Sequence, residues 1–359
     1  MIRISLASSL LMTLTLTAEA QLEGAPTLPD APVQAADWIM PRTEHGHPDL
    51  QGTWFFGSRT PLQRPASLGT QRTYSDQEAR MMEGRMQQRL DSQAMPLDPN
   101  RGAPEAGARI GQEADDSFLA HYQAARLVPV NGEYRTSVIV DPVDGRIPLR
   151  EDFKDFTARQ RASGLGETDG PEGQPLSGRC LMFGSAVPSL TPGMMNPNLQ
   201  IVQNRDYVMI MTEMVHDARI IRLNDEHFSN DIASWMGDSI GRWEGDTLVV
   251  HSRNFRPEQS SGMTIAMSEE FEVVERYTPV SDGEIHYAFT VYDQQAYTQP
   301  FSGERMLTRN GAEDRVYEFA CHEGNYSLSG ILAGARRQEV EQELGLRPAM
   351  KSQPAGASY

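Results

Sequence analysis

Two stretches of the chain crowd together side chains that can move protons. One is Cys321-His322-Glu323-Gly324-Asn325-Tyr326, in which an imidazole and a carboxylate stand side by side ahead of a glycine. The preceding residues predict a strand, so His322 and Glu323 are read at a strand end, where chains commonly display reactive groups. The other is Glu213-Met214-Val215-His216-Asp217-Ala218-Arg219, between two predicted strands. A histidine paired with an acid takes and returns a proton near neutral pH. Neighbouring residues of a straight strand point to opposite faces, so His216 and Asp217 cooperate only if the chain turns there. These patterns nominate His216, Asp217, His322 and Glu323 for acid–base work. Glu213, Arg219, Asn325 and Tyr326 are the matching candidates for holding a substrate. The structural account is that His322 braces a following helix and that Glu213–Arg219 is a salt-bridged hairpin end.

Other motifs point less far. Gly237-Asp238-Ser239-Ile240-Gly241 matches G-x-S-x-G, but a nucleophile elbow needs a strand before it and a helix after it. Here a hairpin sequence follows, so Ser239 reads as part of a tight glycine-rich turn. His45-Gly46-His47 is read as an exposed loop pair rather than a metal site; His251 ends a strand on the same face as Val249, and His227 and His286 have no evident partner in the sequence. Asn325-Tyr326-Ser327 has the form of a glycosylation acceptor. No H-E-x-x-H, phosphate-binding loop or dinucleotide fingerprint occurs, so no cofactor is implied and no metal is assigned.

The elements that must position these groups begin after an address. Arg3 precedes an apolar stretch over 4–17, and Ala18-Glu19-Ala20 supplies a cleavage site, which together predict a signal peptide cleaved after Ala20 and a periplasmic or secreted product. In an oxidising compartment Cys180 and Cys321, the only two cysteines, are expected to form a disulfide. The alternative is a reactive thiol or a metal thiolate beside His322. With 49 acidic against 32 basic residues, the net charge of −17 excludes a basic nucleic-acid interface and disfavours anionic membranes. No later stretch is long and apolar enough to span a bilayer.

Residues 21–48 read as an extended lead-in, and Gly52-Thr53-Trp54 opens a first strand. Ser75 and Glu78 form a capping box that starts a helix over 76–90. A second short helix is expected over 151–162. From 199 onward strand signals recur: 207–211, 218–223, 247–251, 271–279, 284–292, 306–309 and 315–320. Glu244-Gly245-Asp246, Ser281-Asp282-Gly283 and Asn310-Gly311 read as hairpin turns. Such a series predicts a mainly β domain over 49–345, an antiparallel meander closed as a barrel or folded as a sandwich, with a helical insertion around 75–165. Leu328, Ile331, Leu332, Ala335, Val340 and Leu344 trace the apolar stripe of a C-terminal helix, and 346–359 form a loose tail.

Three runs together resemble a family of exported bacterial proteins: His216-Asp217-Ala218-Arg219-Ile220-Ile221, Gly237-Asp238-Ser239-Ile240-Gly241-Arg242-Trp243-Glu244-Gly245-Asp246-Thr247-Leu248-Val249-Val250, and Ala320-Cys321-His322-Glu323-Gly324-Asn325-Tyr326. The likeness implies export and carries no activity with it. Where that family has an acidic residue after the Leu-Val-Val run, this chain has His251. Gly52-Thr53-Trp54 is also similar to the G-x-W first strand of lipocalin-type barrels, whose indole closes one end, and Gly241-Arg242-Trp243 repeats the spacing. The expected function is His/carboxylate acid–base chemistry, hydrolytic or eliminative, on a small molecule or glycan. The alternatives are a non-catalytic barrel that binds a small apolar or amphipathic ligand, and an envelope protein whose polar motifs only brace loops.

Overall fold

The computed structural model describes residues 34, 37–94, 100, 102, 126–182, 196–260, 265–311 and 313–346. The predicted leader, and the tail from 347 onward, lie outside them. Four strands come early: β1 (Gly52–Phe55), β2 (Thr73–Tyr74), β3 (Tyr134–Arg135) and β4 (Ile139–Asp141). The rest follow as β5 (Asn198–Gln203), β6 (Tyr207–Thr212), β7 (Ala218–Leu223), β8 (Asp238–Glu244), β9 (Thr247–Arg253), β10 (Glu272–Ser281), β11 (Glu284–Tyr292) and β12 (Phe301–Arg309). The α-helices among the described residues are α1 (Asp76–Ala94), α2 (Phe156–Ala162) and α3 (Ser327–Glu343).

The strands β1-β5-β6-β7-β8-β9-β10-β11-β12 form a closed barrel of nine, because β12 pairs back onto β1. β4 adds to the same edge of β12 further along. An odd ring cannot alternate direction all the way round, so at least one neighbouring pair must run parallel. That pair is β7 and β8, with Ile221 opposite Ser239 and Leu223 opposite Gly241. A parallel pair needs a long crossover instead of a hairpin. Residues 224–237 supply it, and they hold the candidate site described below.

Alternation along the strands sorts the core. Leu199, Ile201, Val208, Ile210, Ile221, Leu248, Val250, Val273, Ile285, Phe289 and Leu307 pair across the ring and are all buried. One end of the barrel is closed by the chain before β1. Gln203 accepts from the Leu50 N–H at 2.8 Å and donates to the Pro48 carbonyl at 2.9 Å, and the Trp54 indole donates to the Leu50 carbonyl at 2.9 Å. The Arg309 guanidinium lies 4.2 Å from the centre of the Trp54 ring. It passes so close to Gly52 that a β-carbon there would collide with it, and Gly52 has φ +138°, which only glycine adopts readily.

Three expectations are corrected. Residues 237–241 are not a tight turn throughout: Gly237 turns, but Asp238–Glu244 is strand β8, and Ser239 is buried inside the barrel with its hydroxyl 2.7 Å from that of Ser252. Residues 315–320 form no strand, because β12 already carries β11 on one edge and β1 with β4 on the other. His322 and Glu323 are therefore displayed on an irregular segment rather than at a strand end. Helix α3 forms as expected, yet none of its residues is buried; Ile331 and Val340 of its apolar stripe are exposed.

Candidate functional site

The disulfide between Cys180 and Cys321 is present, closing a span of 141 residues. The Asn325 side-chain amide donates to Cys180 Sγ at 3.1 Å, and its Oδ1 accepts from the Ser327 N–H at the start of α3. Among the predicted site residues, then, Asn325 is engaged in holding the clasp to the helix. His322, Glu323 and Tyr326 are exposed, and neither the His322 imidazole nor the Glu323 carboxylate makes a hydrogen bond or ion pair among the described residues.

The chain does turn at His216. Val215 and His216 both take the left-handed conformation, with φ of 60° and 49°, in the loop between β6 and β7. A β-branched residue there is strained by about 1–3 kcal/mol. The turn leaves His216 exposed, and no hydrogen bond or ion pair joins its ring to Asp217 or His322. Glu213 is buried and accepts from the side-chain amides of Asn196 and Asn198, which ties the loop to the start of β5.

Arg219 faces the other way, into the barrel. Its guanidinium pairs with Glu275 and donates to the Tyr277 hydroxyl at 3.1 Å, while Tyr277 and Tyr287 donate to Glu275 Oε1 at 3.0 and 2.7 Å. All four side chains are buried. Burial works against the charge on Arg219, but Glu275 and the two tyrosines outweigh it and raise its pKa. Burial, reinforced by Glu275, likewise holds both phenols well above their usual range. Arg305, also inward-facing, is pulled down to about 10 by burial. This network fills part of the interior with buried, mutually bonded polar groups.

A different chain of polar groups runs over the outside of β8, β9 and β10. Asp238 Oδ2 lies 2.8 Å from His227 Nδ1, His227 Nε2 lies 3.0 Å from His251 Nδ1, and His251 Nε2 lies 3.1 Å from Glu272 Oε2. Side-chain exposure rises steadily along it, 4% for Asp238, 8% for His227, 18% for His251 and 31% for Glu272. One end is thus anchored in protein and the other opens to solvent.

Register explains the assembly. Asp238 and His251 face outward because Ser239 and Ser252, their strand neighbours, face inward, and Glu272 joins them at the start of β10. His227 comes from the crossover. Arg222, at the end of β7, fastens that crossover through Asp238 at 2.6 Å, Asp225 at 2.7 Å and the Glu226 carbonyl at 2.6 Å, with the Phe228 ring 3.9 Å from its guanidinium carbon. The Phe228 N–H adds a 2.7 Å bond to Asp238.

Proton counting shows what the chain of groups can do. Three contacts link two carboxylates through two imidazoles, and each contact needs one proton. Two neutral imidazoles bring only two, so the third link forms when the pair takes up one more. Burial holds His227 below the ordinary imidazole range, with the Asp238 hydrogen bond opposing and the nearby positive charge of Arg253 assisting. Burial would raise Asp238, but bonds from Arg222, His227 and the Phe228 N–H win and lower it. Glu272 is lowered chiefly by the hydrogen bond from His251. Both carboxylates are therefore held toward their ionised forms, while burial disfavours a charge on His227.

These residues were missed in the sequence because their meeting depends on the parallel β7–β8 pairing. His227 and Glu272 lie 45 positions apart, on a crossover and a strand whose apposition no local pattern encodes. The one signal was His251 itself, the single departure from the resembled motif. His286, also lacking a partner in the sequence, pairs with the buried Glu304 at 3.2 Å on the far wall. Among the described residues no three His, Cys, Asp or Glu side chains are arranged to hold a metal, and no helix is long and apolar enough to cross a membrane. No family model matches the chain, and a search of curated proteins finds no match.

Proposed function

We propose that this is an exported acid–base catalyst acting on a small molecule or glycan by hydrolysis or elimination, with Asp238–His227–His251–Glu272 as its proton-handling centre. The hydrogen-bonded sequence of two imidazoles between two carboxylates, enclosed at Asp238 and most open to solvent at Glu272, is the observation that carries this reading. Every ring nitrogen is engaged within it, so Glu272 is the group that meets substrate. It takes a proton from water or a carbon acid, His251 and His227 share the charge, and Asp238 fixes the tautomer of His227. The leader and the disulfide support a periplasmic or secreted location. An apolar ligand inside the barrel would have to displace the Arg219–Glu275 pair, which weighs against the binding-protein alternative.

The test is turnover of a panel of chromogenic esters, glycosides and glycan-lyase substrates by the wild type, Glu272→Gln and His251→Gln. The expected loss is about 10²–10⁴-fold in either variant with the fold intact by circular dichroism. Wild-type turnover in both variants, or none by the wild type across the panel, overturns the reading. His216→Ala and His322→Ala in the same panel report on the two exposed histidines that the sequence nominated. Loss confined to those variants would move the centre to them.

A further inference from the structure

Arg253 stands apart from the arginines around it. It ends β9 two positions beyond His251, so both project from the outer face of that strand. Directly across the strand pair lies Asp238, the natural ionic partner. Both Asp238 oxygens, however, are already taken by Arg222, His227 and the Phe228 N–H. Arg253 consequently makes no hydrogen bond or ion pair among the described residues, and its Nε is buried without an acceptor. Nearby Arg222, Arg242, Arg256 and Arg276 all pair with acids. Glu272 is near enough for the Arg253 charge to lower its pKa, yet no carboxylate bonds the guanidinium, a costly arrangement for a half-buried group unless something else supplies the acceptor.

We infer that Arg253 docks an oxyanion of the substrate, a carboxylate, sulfate or phosphate group, beside the proton-handling centre. This rests on the reading of that centre given above. A guanidinium presents paired donors that match such groups, and its position next to His251 would hold the reacting bond near Glu272. The charged groups facing this spot are Arg222 from β7, Asp225 and His227 from the crossover, Asp238 from β8, His251 and Arg253 from β9, and Glu272 from β10. With neutral imidazoles they sum to −1, three acids against two arginines. An incoming anion is therefore opposed until the histidine pair takes up a proton, and docking and proton uptake assist each other reciprocally.

Calorimetric titration of the full exported chain with phosphate, sulfate and acetate, each at constant ionic strength, tests this. At least one anion should bind the wild type, more tightly at pH 6 than at pH 8, and which one binds identifies the oxyanion class. Arg253→Gln should weaken binding by about tenfold or more, and Arg253→Lys, which keeps the charge and guards against a folding artefact, by less. His251→Gln should still bind at pH 8 but lose the gain on acidification. Equal binding by the wild type and Arg253→Gln, or no binding of any of the three to the wild type, overturns the inference. Failure of the catalytic reading looks different: anion binding survives and depends on Arg253, while Glu272→Gln leaves turnover unchanged.

Discussion

The barrel wall carries two polar chains, one on each face, built from similar groups under opposite conditions. Inside, Arg219, Glu275, Tyr277 and Tyr287 are buried, and each has its hydrogen bonds made. Outside, Asp238, His227, His251 and Glu272 grade from enclosed to open. Inside, Arg219 and both phenols are pushed above their ordinary ranges, whereas the outer chain contains two imidazoles and one contact more than they have protons to fill. A sealed, saturated network resists change and specifies the barrel. A graded one with an open end can exchange protons with solvent, and that separates scaffold from site more sharply than burial or charge alone.

The largest way to break this contrast is inside. Glu275→Ala leaves Arg219 buried without its counter-ion and should cost about 3–5 kcal/mol in urea unfolding. Replacing both, Arg219→Met with Glu275→Leu, should recover most of that loss, because the penalty comes from the unpaired charge. If the double variant stays as unstable as the single one, the interior pair does more than balance itself. On the outer face Arg222→Ala should cost about 1–2 kcal/mol, since it releases Asp238 and the crossover together. Hydrogen exchange should then rise in residues 224–237 and not in β11 or β12. Faster exchange spread evenly over the barrel would show that the crossover is not an independent unit.

Acidification probes the same contrast at smaller scale. His227 has a folded pKa below its unfolded value, so the unfolded chain binds more protons as pH falls through about 6.5, and stability declines there. Glu272 and Asp238 are also lowered; their contribution is present above the ordinary carboxylate range and is lost as pH falls through their folded values. His227→Gln should flatten the first decline, and Glu272→Gln part of the second, in unfolding free energy measured from pH 8 to pH 3. The smallest effect is expected at the exposed histidines. His216→Ala and His322→Ala should leave the unfolding midpoint essentially unmoved, so any loss of turnover in them would be chemical rather than structural.

Much of the scaffold could be read in advance. Strand β7 was read at its observed limits, the Ser281-Asp282-Gly283 turn joins the two strands it was expected to join, the Glu244-Gly245-Asp246 turn leads into β9 as expected, and the two cysteines pair. The misreadings share one cause. Ser239 was taken for a turn residue because glycines flank it, yet strand pairing with β7 and β9 outweighs that local preference. Residues 315–320 have the composition of a strand, but both edges of the preceding strand β12 are already occupied.

What the amino-acid sequence determined by itself is local: where strands alternate, where glycine turns the chain, how helices are capped, and the acidic, two-cysteine character of the chain. These follow from neighbours along the chain and from composition. The tertiary structure alone decided that nine strands close, that the odd count forces β7 and β8 to run parallel, and that the resulting crossover carries His227 onto His251. Hydrogen bonds between imidazoles reach only about 3 Å. The groups that meet there come from the crossover, β8, β9 and β10, so their conjunction is a property of barrel closure and not of any segment.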